Sequence, residues 1–183
     1  MSAVDIVIRK VLIAGSVGVG KTTAVKTVSD TPILTTEAKP TDDTLLQKQT
    51  TTVAMDFSVI WLDDALKVHL YGTPGQARFD FMWDVLAEGG EGVIVLVDST
   101  SPNVFEEVKV YLNAFQPLVD QRRVVVGVTR LNSDDPNALM PYRKFFKEHY
   151  QNIPVLEADP RSRHDVVVLI RAALASIHLQ VDT

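Results

Sequence analysis

Short apolar runs alternate along this chain with longer segments whose apolar residues recur at helical spacing. Residues 6–14, rich in Ile, Val and Leu, read as a strand, as do 92–97 (Gly-Val-Ile-Val-Leu-Val), 124–128 (Val-Val-Val-Gly-Val) and the brief run at 155–156. Continuously apolar strands of this length belong to a parallel sheet covered on both faces. Between them the spacing predicts helices over 21–28, 79–87, 104–118, 139–149 and 165–179. In the last, Val166, Val167, Ile170, Leu174 and Ile177 repeat at helical intervals, with Ser162 and Asp165 placed as a capping pair.

One stretch has a period of two instead. Val53, Met55, Phe57, Val59 and Trp61 alternate with Ala54, Asp56, Ser58 and Ile60, which reads as a half-buried strand with Ile60 as the exception. Leu66, Val68 and Leu70 alternate with Lys67, His69 and Tyr71, and Asp63-Asp64 between the two runs makes a turn, so the pair is a hairpin. The expectation is an α/β fold, a mostly parallel six-stranded sheet with one antiparallel strand and helices on both faces. The polar loop over 30–49, with Pro32, Pro40 and many threonines, is longer than ordinary connections and is expected to be functional or mobile.

Composition narrows the possibilities. The 183 residues, 46% hydrophobic and 22% charged, suit one domain over 1–183. Lys plus Arg number 18 against 23 Asp plus Glu, a net charge of −5 that gives no nucleic-acid footprint. The chain has no cysteine, which excludes disulfides, zinc thiolates, thiolate catalysis and lipidation on sulfur. No apolar run is long enough for a membrane span, so a cytoplasmic protein without direct membrane insertion is expected. The four histidines fall on separate elements without metal-ligand spacing.

Chemistry concentrates at Gly15-Ser16-Val17-Gly18-Val19-Gly20-Lys21-Thr22, which fits G-x-x-x-x-G-K-[ST] between a predicted strand and a predicted helix. The glycines let the backbone curl so that N–H groups from about Gly18 to Thr23 face phosphate oxygens, and the helix start adds positive field. Lys21 would bridge the outer phosphates and the Thr22 hydroxyl would ligate Mg²⁺. Thr50-Thr51-Thr52 closes the long loop, and Gly72-Thr73-Pro74-Gly75-Gln76 precedes an aromatic helix.

The order and spacing of these motifs resemble the Ras-like small GTPases over nearly the whole chain, most of all the bacterial MglA-like group encoded beside roadblock-fold partners. The resemblance implies a P-loop NTPase G domain that binds GTP and GDP with Mg²⁺. By the same likeness Thr52 contacts Mg²⁺ and the γ-phosphate, Gly75 offers its N–H to that phosphate, and Gln76 orients the attacking water. Gly15, Val17, Gly18, Val19, Gly20, Lys21, Thr22 and Thr23 would line the phosphates. Arg130, Asn132 and Ala158 would meet the base, Ala158 through its N–H. A regulatory partner, such as a roadblock-fold protein, would engage residues 30–52 and 72–86.

The departures from that pattern are as informative. Gly72 stands where the family has an aspartate near Mg²⁺, so metal affinity is expected to fall. Val17 crowds the space for Gln76 and for an incoming arginine, and both changes imply slow hydrolysis. Thr129-Arg130-Leu131-Asn132 replaces N-K-x-D, and Asn132 has a single carbonyl acceptor where the family aspartate has two. Arg78 reads either as an internal arginine finger or as a surface residue, and Phe81 as core or as partner surface. A pseudo-GTPase scaffold and a P-loop ATPase or phosphotransferase stay open as alternatives.

Overall fold

The structure, a computed structural model, describes residues 5–35, 55–75, 81–132, 134–150 and 153–178. Seven strands form one sheet: β1 (Val7–Ala14), β2 (Leu34–Thr35), β3 (Asp56–Trp61), β4 (Leu66–Gly72), β5 (Gly92–Asp98), β6 (Val124–Thr129) and β7 (Val155–Glu157). Their order is β2-β3-β4-β1-β5-β6-β7. Only β3 runs against the rest, pairing antiparallel with β4 and with β2. The helices are α1 (Lys21–Val28), α2 (Phe81–Ala87), α3 (Val104–Ala114), α4 (Gln116–Asp120), α5 (Met140–His149) and α6 (Arg163–His178). This is the α/β architecture of a P-loop G domain, with one strand more than the six expected. The addition, β2, is two residues long and so shows no period to read.

The strand alternation explains the unbroken apolar runs. Val11 and Ile13 of β1, Ile94 and Leu96 of β5 and Val125 of β6 face one core with α1 and α6. Leu12, Ala14, Val93, Val95, Val97, Val124, Val126 and Val128 face a second core built on α2, α3 and α5. Each neighbouring side chain is therefore buried, on opposite sides of the sheet.

Two expectations about elements are corrected. The single helix over 104–118 breaks at the buried Phe115, because Pro117 at the start of α4 has no N–H to continue the ladder. In β3 burial does not follow the alternation: Asp56, Ser58 and Ile60 are buried along with Val59, while Trp61 is exposed and Phe57 half-buried. Phe57 instead packs its ring against His69 and Tyr71, at 5.5 and 4.9 Å. The capping pair is present, with the Ser162 hydroxyl accepting from the Asp165 N–H at 3.3 Å and donating to Asp165 Oδ1 at 2.9 Å.

α6 also closes the structure around α1. Arg163 Nη1 donates to the Val28 carbonyl at 2.8 Å, satisfying an orphan acceptor at the α1 C-terminus. Its Nη2 donates to Asp30 Oδ1 at 2.8 Å, and Asp30 Oδ2 accepts from the Trp61 N–H at 2.8 Å. The helix that follows the phosphate loop is thereby anchored at its far end.

Candidate functional site

The phosphate loop leaves the carboxyl end of β1 and delivers Lys21 and Thr22 at the start of α1. Gly15 has φ 142°, and a Cβ there would stand 2.4 Å from the Leu96 carbonyl oxygen of β5, so only glycine fits between the strands. The Lys21 ammonium lies inside the loop it follows, donating to the Gly15 and Ser16 carbonyls at 2.7 Å each. Among the described residues no carboxylate is in ion-pair contact with it. Burial pushes its pKa down to about 8, with the Asp56 charge opposing the shift. A cation held this way is underserved until an anion arrives.

Thr22 has a partner that the sequence reading missed. Its hydroxyl donates to Asp56 Oδ2 at 2.5 Å, and Thr35 of β2 donates to Asp56 Oδ1 at 3.0 Å. Asp56 is 7% exposed and sits opposite Gly72 in the β3–β4 register. A Cβ on Gly72 would approach Asp56 Cβ to 3.3 Å and Oδ2 to 3.5 Å. Positions 56 and 72 therefore address one small volume beside Thr22, and the carboxylate absent at 72 is supplied from 56.

The segment after β4 lies over the loop. The Thr73 N–H donates to the Ile13 carbonyl at 2.8 Å, and a Cβ on Gly75 would meet Lys21 Nζ at 2.6 Å and the Val17 nitrogen at 2.9 Å. Pro74 is held from the far side, its carbonyl accepting from Trp83 Nε1 of α2 at 3.1 Å. The Trp83 ring in turn packs on Tyr111 of α3, 4.9 Å between centroids. Val17 is 68% exposed at the mouth of the site. Met82 is half-buried, and Trp83 and Leu86 are buried. Thr52, Gln76, Arg78, Phe79 and the Phe81 side chain lie outside the described residues.

Beyond the loop a cavity of about 570 Å³ is lined by Gly18, Val19, Gly20, Thr23, Thr129, Arg130, Leu131 and residues of the 157–165 segment. Arg130, at φ 57°, carries left-handed backbone, a conformation costing roughly 1–2 kcal/mol in a residue with a Cβ. It uses that geometry to reach two elements, donating to the Gly18 carbonyl at 2.7 Å and pairing with Asp98 of β5. Strain held in place by such contacts is a mark of a working site. Asn132 does not line the cavity, and its carbonyl accepts from the Asp134 N–H at 3.1 Å. Ala158 lines it, but its N–H donates to the Val128 carbonyl at 3.0 Å and is not available to a base. The structure thus brings together Gly15 to Thr23, Gly75 and Arg130, sets Ala158 on the cavity wall with its N–H bonded to Val128, and places Asn132 outside that lining.

The lowered pKa of Lys21 carries a pH dependence. The free site loses its ammonium as pH rises through about 8, whereas a bound polyanion holds the proton on. Phosphate-ligand affinity is therefore expected to fall about tenfold per pH unit above 8, with net proton uptake on binding. Calorimetry in buffers of different ionisation enthalpy measures that uptake, and its absence at pH 8.5 would remove Lys21 from the site.

A family described as a conserved hypothetical ATP binding protein matches residues 31–116. An uncharacterized protein of Methanocaldococcus jannaschii is 29% identical over 119 residues, 65% of this chain and 66% of that protein. The Ras-related protein RABD2a of Arabidopsis thaliana is 25% identical over 177 residues, covering 92% and 79% respectively. The GTP-binding protein YPTM2 of Zea mays is 25% identical over 174 residues, with the same coverage. The chain thus spans just under two thirds of the M. jannaschii protein and about four fifths of the two plant proteins. Together with the fold, these likenesses support a P-loop nucleotide-binding protein of the Ras-like GTPase superfamily.

Proposed function

We propose that this chain is a nucleotide-driven molecular switch of the Ras-like kind, holding a nucleoside triphosphate with Mg²⁺, hydrolysing it slowly and changing its affinity for a protein partner. The observation that carries the reading is Lys21, a half-buried ammonium with only carbonyl partners inside a glycine loop. The phosphate end is indifferent to the base, so the reading holds for any purine nucleotide, GTP being the one that the likeness to Ras-like proteins brings.

The residues present fit Mg²⁺. Mg²⁺ usually takes one or two carboxylates plus substrate phosphates and water, not an all-protein cage. Asp56 and the Thr22 hydroxyl supply that pair, and among the described residues no cluster of three His, Asp or Glu competes for a metal. When bound, the ion would neutralise charge on the outer phosphates. The chain's own work is to orient those phosphates with Lys21 and the loop N–H groups, and to keep Thr22 aligned through Asp56. Asp56 also weakens the scaffold alternative, which now draws only on Val17 and Asn132.

The partner surface falls on the two segments that adjoin the γ-phosphate position. Leu34 of β2 and Val85 of α2 are 64% and 61% exposed. Among the described residues no helix is long and apolar enough to cross a membrane, so a protein partner is the proposed route to any localisation. Trp83 gives the switch a built-in reporter through its bond to Pro74. In a Trp61→Phe background, leaving Trp83 as the single tryptophan, a nonhydrolysable triphosphate and the diphosphate are expected to give different indole emission. Identical spectra in two saturated states would sink the switch and leave a static nucleotide-binding scaffold.

A further inference from the structure

The phosphate loop is open at one end and filled at the other. Gly18, Val19, Gly20 and Thr23 border the cavity, and a Cβ placed on Gly18 would meet nothing within 4 Å. Val17, Lys21 and Gly75 do not border it. A Cβ on Gly75 would stand 2.6 Å from Lys21 Nζ, 2.9 Å from the Val17 nitrogen and 3.1 Å from the Gly15 carbonyl oxygen. That point is in hydrogen-bonding range of two donors at once, the Lys21 ammonium and the Val17 N–H. The Val17 N–H has no other hydrogen-bond partner among the described residues.

An oxygen of the outermost phosphate, accepting from the lysine and the loop together, belongs at that same point. Yet the point is one covalent bond, about 1.5 Å, from the Gly75 Cα, so the oxygen and this backbone cannot both be there. Two hydrogen bonds pin the segment in place. The Thr73 N–H donates to the Ile13 carbonyl at 2.8 Å, and the Pro74 carbonyl accepts from Trp83 Nε1 at 3.1 Å. Lys21 is turned to match, donating to the Gly15 and Ser16 carbonyls of its own loop.

We infer that Gly75 blocks the outermost phosphate position, so that this conformation admits a nucleoside diphosphate and takes a triphosphate only once residues 73–75 withdraw. This rests on the nucleotide-binding reading above and makes Gly75 the residue that sets the preference between its two ligands. The block depends on volume alone. Gly75 is not among the residues with left-handed backbone, so Gly75→Ala adds a Cβ without backbone strain. That Cβ would have to displace the main chain at Val17 and Gly15, not only the flexible end of Lys21. Alanine therefore disfavours the blocked conformation.

Stopped-flow binding of ribose-labelled fluorescent diphosphates and nonhydrolysable triphosphates, guanine and adenine forms of each, in Mg²⁺, tests the inference on the whole chain. In the unmodified protein the diphosphate rate is expected to rise linearly with concentration, and the triphosphate rate to level off at the rate of withdrawal. The diphosphate is expected to bind about tenfold or more tighter than the triphosphate, since only the withdrawn fraction takes the latter. Gly75→Ala is expected to shrink that ratio about tenfold and to raise the plateau. A triphosphate that binds as tightly as the diphosphate with a linear rate overturns the block and leaves the nucleotide reading standing. So does an unchanged ratio in Gly75→Ala, and the comparison in the unmodified protein decides alone if that variant does not fold. If neither the diphosphates nor the triphosphates bind, the nucleotide reading falls and this inference with it.

Discussion

Asp56→Asn is expected to raise the free Mg²⁺ needed for half-maximal nucleotide retention by about tenfold or more, with little loss of fold stability. Asparagine keeps the size of the side chain, and its amide can still accept from Thr22 or Thr35, so the β2–β3–α1 junction stays satisfied. What disappears is one negative charge beside the Thr22 hydroxyl. The readout is release of a fluorescent nucleotide as free Mg²⁺ is titrated down, with thermal unfolding as the control. The geometry offers a sharper version. Asp56→Gly removes the Cβ that a side chain at 72 would meet at 3.3 Å, so the double variant Asp56→Gly/Gly72→Asp should recover most of the lost Mg²⁺ dependence. An Asp56→Asn protein with an unchanged Mg²⁺ profile would mean that the carboxylate serves only to hold β3 against α1.

Lys21→Met is expected to separate binding from stability. Loss of the ammonium should weaken triphosphate affinity by about 100-fold or more, roughly 2.7 kcal/mol, since it removes charge-assisted bonds to the outer phosphates. The unliganded fold should be as stable as before or slightly more so. The sign follows from the folded pKa of about 8 against the ordinary 10.5. Below pH 8 the ammonium is charged in both states, and its burial works against the folded one in full. Between about 8 and 10.5 the unfolded chain holds the proton more tightly, so native stability rises with pH across that window. Lys21→Met lacks the group and should lose that rise. A lower melting temperature for Lys21→Met at pH 7, or the same upward slope above pH 8, would show the ammonium to be a structural clasp for Gly15 and Ser16.

These two residues also show what was legible in the sequence. Lys21 sits in an eight-residue motif whose loop, donor and helix start are all local, so the chemistry can be read from adjacent letters. Asp56 cannot be read that way. Its neighbours Phe57, Val59 and Trp61 set a phase in which Asp56 looks solvent-facing, and only the β3–β4 register and the approach of α1 bury it beside Thr22. The central parallel strands and their cover on both faces follow from the apolar runs, because a strand covered on two sides leaves a continuous signature. The two-residue β2 and the break at Phe115 leave none or a single proline. The partner of the Ala158 N–H is nonlocal as well: in a loop that resembles a base reader by its letters, it is drawn to the Val128 carbonyl beside the β6–β7 ladder.

The most direct measurement is an isothermal titration of the purified chain with a nonhydrolysable nucleoside triphosphate, in Mg²⁺ and in a chelator, beside Lys21→Met. The expected result is one saturable site in the unmodified protein, weakened by the chelator and lost in Lys21→Met. No heat of binding from either guanine or adenine triphosphates, or equal binding by the two proteins, would contradict a phosphate site built on Lys21, Thr22 and Asp56.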